Sequence, residues 1–160
     1  MQPRMTTPAL SVPGALDALQ ALGRAANEAA RQAGVPQSTI DLVGLRASQI
    51  NGCAVCLDMH SRGAKKAGVT DERLLTLAAW RESPYFDEAE RAALALTEAG
   101  TRLADRANPV SDEVFAEGAK HYDEPGLAAL VVAIAAINTW NRLNVMTGQV
   151  AGEWTAQWES

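Results

Sequence analysis

"LRASQINGCAVCLDMHSRGAKKAG", residues 45–68, contains both cysteines of the 160-residue chain and one of its two histidines. The "NG" pair at residues 51 and 52 interrupts the helical pattern, so the segment predicts two helices joined by a short turn. On the second helix, Cys53, Cys56 and His60 are separated by three and then four residues, which places them on one face. This face is the candidate functional site.

The remaining sequence predicts an all-α fold. Helix signals recur between Gly and Pro residues, and no stretch alternates as a strand would. Seven helices are predicted: residues 15–33, 38–50 capped by Ser38, the cysteine helix ending near Gly68, 70–82, one starting at a capping box of Asp87 and Glu90, one capped by Ser111, and one from Pro125 to about Met146. The last is apolar on nearly all sides, which predicts a position in the core or at a subunit contact.

The predicted organisation is a single helical domain over residues 14–146, with flanking segments. Residues 1–13 form an N-terminal arm and residues 147–160 a C-terminal tail. In the tail, Val150, Trp154 and Trp158 follow four-residue spacing, which favours a short helix docked on another surface.

Composition and charge indicate a cytoplasmic protein. Hydrophobic residues make up 48% of the chain and charged residues 21%, values ordinary for a soluble globular domain. The net charge of -5 gives no indication of binding to nucleic acid or to an anionic membrane. The N-terminus lacks a signal-peptide core, and the apolar run 127–137 is about half a membrane span. In a reducing compartment, two cysteines three residues apart favour catalysis or metal binding over a structural disulfide.

Metal binding and plain burial are the two alternatives to a redox role for the cysteines. Structural zinc needs four ligands, and nothing around His121 resembles a second half-site, so no metal is expected. Free cysteines are often buried as small apolar residues. Their pairing as C-x-x-C on one helical face nevertheless favours redox chemistry. A thioredoxin fold is not expected, because no β-branched run precedes Cys53.

Helix geometry predicts different roles for the two thiols. The helix dipole at Cys53 favours an anion by about 0.3–1 kcal/mol. His60 lies one turn beyond Cys56, where a charged partner can shift a pKa by about 1–3 units, but it lies about 10 Å of helix rise from Cys53. We therefore expect Cys56 to be the low-pKa attacking thiolate, His60 its base, and Cys53 the resolving thiol.

Segment 45–68 resembles the core of the alkylhydroperoxidase AhpD-like proteins of the carboxymuconolactone decarboxylase family. "LLTLAAWRESPYFDEAERAALALTEA" and "AAINTWNRLNV" are also similar to that group, so that the resemblance spans most of residues 38–146. It implies an all-α bundle, homo-oligomers (trimers or hexamers), and reduction of hydroperoxides by the dithiol. No cofactor is expected to be bound. Electrons would return from a dithiol carrier, such as a lipoyl group on a partner protein.

The resemblance also implies roles for individual residues of the site. It implies that the second cysteine, Cys56, forms the sulfenic acid and that Cys53 completes the disulfide. A family glutamate that joins a proton relay with the motif histidine corresponds to Asp41 here, and a family histidine corresponds to Val55. Helix rise predicts that Asp41 and His60 lie nearly level, although Ser38 and Asp41 also fit a capping box.

Two other functions are compatible with the sequence. One is a decarboxylase or related lactone enzyme of the same family, which would not need the cysteine pair. The other is a redox-responsive scaffold whose Cys53–Cys56 disulfide alters an oligomer or partner surface. The polar stretch of residues 138–142 is expected to serve helix packing.

Overall fold

The computed structural model describes residues 1–104 and 106–152, and within these ranges the chain forms helices and no strand. The elements are α1 (Pro8–Ser11), α2 (Ala15–Gln32), α3 (Gln37–Asn51), α4 (Ala54–Lys66), α5 (Asp71–Thr76), a 3₁₀ helix (Leu77–Glu82), α6 (Glu88–Thr101), α7 (Asp112–His121) and α8 (Glu124–Thr147). The predicted all-α, single-domain fold is confirmed.

Several helix starts lie where the sequence predicted them. The side chain of Asp87 accepts a hydrogen bond from the Glu90 N–H while Glu90 reaches back to the Asp87 N–H, which completes the capping box of α6. Ser111 accepts from the N–H of Val114 at the start of α7. Pro125 lies in the first turn of α8.

Three local features differ from the predictions. Ser38 does not cap α3, because that helix begins at Gln37 after Pro36 and therefore includes Ser38. The predicted helix 70–82 is divided, since α5 gives way to a 3₁₀ turn in which Ala79 has a non-helical backbone (φ -114°, ψ 33°). The N-terminal arm contains α1, a single helical turn with Pro8 at its start.

The long apolar helix α8 lies at the centre and packs against α2, α3 and α6. By length and composition it could also cross a membrane, but half of its most apolar window is buried among the other helices. Leu130 in this helix is fully buried. Trp154 and Trp158, on which the predicted tail helix depends, lie outside the described residues.

A turn at Gly52 sets the relation between α3 and α4, which pack along each other. Gly52 adopts a left-handed conformation (φ 68°) and ends α3, and the N–H of Cys53 then donates to the carbonyl of Ser48 at 3.0 Å. The chain reverses within two residues, so Cys53 stands at the N-terminus of α4 against the C-terminal end of α3.

A buried carboxylate links three of these elements. Glu98 of α6 accepts hydrogen bonds from Arg46 of α3 (2.7 Å) and from the indole of Trp80 in the 3₁₀ helix (3.0 Å). Arg81 and Arg102 contact its other oxygen, at 2.7 and 3.4 Å. The cluster fixes the 3₁₀ turn and α6 against α3, the helix that carries Asp41.

Candidate functional site

The two cysteines form a buried pair at the N-terminus of α4. Cys53 is 1% exposed and Cys56 4% exposed, and both are free thiols. Their Sγ atoms are 2.8 Å apart, and the Cys53 sulfur also accepts the N–H of Cys56 at 3.4 Å. Cys53 is therefore the N-cap of α4, with the thiol of Cys56 one turn into the helix.

This geometry places the stabilised thiolate on Cys53, contrary to the prediction for Cys56. Hydrogen bonds from the Cys56 thiol and backbone N–H outweigh burial and lower the pKa of Cys53 to about 6. The Cys53 sulfur and burial raise the pKa of Cys56 above its ordinary range. These contacts favour the thiolate on Cys53 over a thiolate on Cys56.

Alkylation rates should report this distribution of charge. In the unmodified protein, the thiolate that reacts first should be Cys53, with a titration midpoint near pH 6. Iodoacetamide labelling against pH, followed by peptide mass spectrometry, measures it. Cys56→Ser retains a side-chain donor and should leave the midpoint low, whereas Cys56→Ala removes that donor and should raise it. A midpoint unchanged between the two variants would contradict the role of the Cys56 side chain.

His60 faces α3 and Asp41, and within the described ranges no hydrogen bond joins it to Cys56. His60 Nδ1 lies 3.5 Å from Asp41 Oδ1, and the Asp41 side chain is 9% exposed. The two residues thus lie level, as helix rise predicted. The capping-box alternative is not observed, because no side chain caps α3. The expected direct pairing of His60 with Cys56 is replaced by a carboxylate–imidazole pair on the neighbouring helix.

Two glycines make room for this pair. A Cβ atom at Gly44 of α3 would lie 2.7 Å from Cε1 of the His60 ring, and one at Gly63 of α4 would lie 3.1 Å from Asp41 Oδ1. Each side chain therefore rests on the glycine of the opposite helix. The close approach of α3 and α4 holds the imidazole against the carboxylate.

An asparagine network on α8 borders the cysteines. Asn51 Nδ2 donates to Oδ1 of Asn138 (2.9 Å) and of Asn141 (2.8 Å), which joins the end of α3 to α8. The expected packing role of the 138–142 stretch is confirmed for these two residues. Asn144 is different, since its Nδ2 donates to Cys56 Sγ at 3.4 Å.

Sequence reasoning gave Asn144 no role in the site. The signal was a three-residue spacing, 138, 141 and 144, of amides on an otherwise apolar helix. Val55 is buried in the same apolar cluster as the two cysteines. His121 instead pairs with Glu117 at 3.3 Å. In the part of the chain that the structure describes, no group of three or more His, Cys, Asp and Glu side chains is arranged to hold a metal ion.

Comparison with known families gives a direct match. The model of the carboxymuconolactone decarboxylase family matches residues 13–99, which include α3, α4 and the cysteine pair. The uncharacterised protein YdfG of Bacillus subtilis is 39% identical over 121 residues, covering 76% of this chain and 81% of YdfG. The alkyl hydroperoxide reductase AhpD of Bradyrhizobium diazoefficiens is 44% identical over 43 residues, covering 27% of this chain and 24% of that protein.

Solved structures agree on the fold. ATU0492 of Agrobacterium tumefaciens, a protein of unknown function provisionally described as the antioxidant defence protein AhpD, superposes with a TM-score of 0.82 at 34% identity. The match covers 94% of this chain and 98% of ATU0492. The debrominase Bmp8 has a TM-score of 0.65 at 24% identity, over 74% of this chain and 62% of Bmp8, a likeness of fold alone.

Proposed function

Because this chain belongs to the carboxymuconolactone decarboxylase family and carries a paired dithiol, we propose that it is an AhpD-like thiol peroxidase. It reduces hydroperoxides, or disulfides, through Cys53 and Cys56. The observation that carries the proposal is the pair itself, two free sulfurs 2.8 Å apart at a helix N-terminus. A dithiol that shares one proton supplies both a nucleophile and a resolving thiol.

The proposed reaction begins at Cys56, the residue to which the family resemblance assigns the sulfenic acid. As its sulfur attacks the distal oxygen of the hydroperoxide, its proton passes to the Cys53 thiolate. An S–O bond forms and the O–O bond breaks. The leaving alkoxide takes the proton from Cys53, relayed by the His60–Asp41 pair and a water, and departs as the alcohol.

Cys53 then completes the oxidative half. Its regenerated thiolate attacks the sulfenic sulfur of Cys56, the S–S bond forms as the S–O bond breaks, and the leaving hydroxide takes a proton from the solvent to become water. The two thiols have given two electrons to the peroxide. In this scheme the low pKa of Cys53 serves the resolving step, and Cys53 replaces His60 as the immediate base for Cys56.

Electrons return from an external dithiol, with no cofactor bound to the chain. A lipoyl group on a partner protein has this chemistry, since its second thiol closes a ring and releases the reduced pair. The cycle requires a reducing compartment, which the cytoplasm provides. Neither nucleic acid nor membrane takes part in the proposed reaction.

Steady-state turnover tests the proposal. Cumene hydroperoxide, hydrogen peroxide and a small disulfide serve as oxidants, and dihydrolipoamide, dithiothreitol and a monothiol as donors. We expect saturable turnover with the dithiols and little with the monothiol. Failure of every oxidant to turn over would overturn the peroxidase and reductase proposal. A decarboxylase-like enzyme or a redox-responsive scaffold would then become the leading interpretation.

Asp41 should contribute through His60. Asp41→Asn removes the charge that orients and stabilises a protonated imidazole, so peroxide turnover should fall roughly tenfold or more. Asp41→Glu keeps the charge and should retain turnover. Initial rates between pH 5 and 8, with thermal melting as the control for folding, make the measurement. Full turnover combined with a loss of melting temperature would show Asp41 to be structural.

We also propose that the chain assembles as a homo-oligomer of at least three copies. Support comes from α8, which has apolar side chains in solvent: Val131 is 46% exposed and Met146 63% exposed. Their burial between copies would account for a helix that is apolar on nearly every side. Light scattering at micromolar concentration distinguishes a trimer or hexamer from the monomer that would contradict this.

A further inference from the structure

We infer that Asn144 is a positioning residue of the dithiol, which holds a hydrogen-bond donor on the Cys56 sulfur and stabilises negative charge there. The inference deepens the proposed function, since charge arises on Cys56 in the proposed cycle. Its test is a property of the isolated thiol and requires no peroxide turnover.

The contact is built from buried groups. Asn144 is 7% exposed and Cys56 4% exposed, and Asn144 Nδ2 lies 3.4 Å from Cys56 Sγ. This is an ordinary distance for a sulfur acceptor. Water has little access to either group, so the amide is a principal donor available to the Cys56 sulfur from outside its own helix.

A chain of hydrogen bonds fixes α8 against α3 and hence sets the position of Asn144. Asn51 Nδ2 donates to Asn141 Oδ1, which leaves the amide nitrogen of Asn141 to donate to Ser48 Oγ at 3.1 Å. Ser48 Oγ then donates to the carbonyl of Gly44 at 2.7 Å. Asn144 lies three residues beyond Asn141 on α8, so this register brings its amide to the cysteine pair.

The Cys56 sulfur becomes negatively charged at two steps of the proposed cycle. The sulfur becomes anionic as its proton passes to Cys53 before attack on the oxidant. It is also the leaving thiolate when an external dithiol attacks Cys53 in the disulfide and forms the mixed disulfide there. A thiolate of lower pKa leaves faster, so one donor assists both halves of the cycle.

Electrostatics of the pair agree with this role. The Cys53 sulfur and burial raise the pKa of Cys56, and hydrogen bonds from Asn144 and Asn141 act against that rise. A hydrogen bond to the charged form of an acid favours ionisation. Asn144 therefore offsets part of the penalty that the buried pair places on a Cys56 thiolate.

The decisive experiment uses Cys53→Ser, in which Cys56 is the sole thiol. The pH dependence of Cys56 alkylation is compared with that of the double variants carrying Asn144→Leu, Asn144→Asp or Asn144→Gln. Loss of the donor in Asn144→Leu should slow alkylation at pH 7 roughly tenfold or more, by raising the pKa of Cys56. Asn144→Asp also loses the donor and adds a negative charge beside the sulfur, so it should slow alkylation further. Asn144→Gln keeps a donor and should restore much of the rate.

Thr139→Ala, which alters an exposed side chain of the same helix, is the matched control and should leave the rate unchanged. Asn144→Asp preserves shape and guards against a fold lost in Asn144→Leu. A Cys56 pKa that is the same with asparagine and with aspartate at 144, in folded protein, overturns the inference. That result would leave the peroxidase proposal standing, because turnover is measured separately.

Discussion

Cys56→Ser is expected to abolish hydroperoxide turnover, with a loss of roughly a thousandfold or more, because it removes the attacking sulfur of the proposed cycle. Cys53→Ser should lose steady-state turnover to a similar degree but for another reason. It still has the sulfur that forms the S–O bond, but it lacks the thiol that resolves it. The two variants should therefore be blocked at different steps of the catalytic cycle.

A single-turnover measurement separates them. Cys53→Ser should consume up to one equivalent of peroxide and accumulate a sulfenic acid on Cys56, which dimedone labels and peptide mass spectrometry locates. Cys56→Ser should give little label. Dimedone found on Cys53 of Cys56→Ser, with none on Cys56 of Cys53→Ser, would reverse the order of attack. His121→Gln, far from the pair in its contacts, is the control and should keep full turnover.

The helix ends that the sequence predicted are those set by local chemistry. Asp87 with Glu90, Ser111 and Pro125 each act on backbone groups within three residues, so their signals are complete in the sequence. The division of the predicted helix 70–82 into α5 and a 3₁₀ helix, at residue 77, depends instead on tertiary contacts. Trp80 turns inward to donate to Glu98, which lies eighteen residues further on, and no local pattern encodes that contact.

The sequence predicted which residues form the site better than it predicted their charges and hydrogen bonds. Helix rise sufficed to place Asp41 level with His60 across the Gly52 turn. Spacing along α4 makes His60 a neighbour of Cys56 at Cβ, but it does not say which way the ring points. The ring lies on α3 because Gly44 leaves space there, and the Cys56 sulfur lies 2.8 Å from the Cys53 sulfur instead of pairing with the imidazole.

Asn144 shows a stricter limit on what can be predicted from the sequence. It lies 88 residues from Cys56 in the sequence, and only the packing of α8 on α3 and α4 brings the two together. A pattern of amides on an apolar helix predicts buried hydrogen bonds, but their partners follow from the register between helices. Residues whose role depends on that register were beyond what spacing in one chain could identify.

The largest effect on stability is expected from Glu98→Gln, with a loss of roughly 3–5 kcal/mol in the free energy of unfolding. Glutamine preserves the shape of the side chain and can still accept from Trp80. It leaves Arg46, whose side chain is 11% exposed, as a buried charge without its counter-ion. Urea or thermal unfolding followed by circular dichroism measures the change.

Glu98→Gln should also change how the stability depends on pH. Burial raises the pKa of Glu98, but hydrogen bonds from Arg81, Trp80 and Arg46 prevail and hold it at about 2, below the ordinary 4.5. A carboxyl group whose pKa is lowered by folding stabilises the folded state at pH values above its pKa in the unfolded chain. The contribution of Glu98 is therefore complete above about pH 4.5 and is lost as the pH falls toward 2. Glu98→Gln should therefore flatten the acid limb of the stability curve in this window.

Glu28→Gln is the matched control. Hydrogen bonds from Arg31 and Gln32 also hold the pKa of Glu28 at about 2, yet this carboxylate is on the surface of α2, where water and salt screen the pair. Its replacement should therefore change the stability little. Equal, small losses in both variants would mean that desolvation cancels the attraction within the Glu98 cluster, and that α3, the 3₁₀ helix and α6 are held together by apolar packing alone.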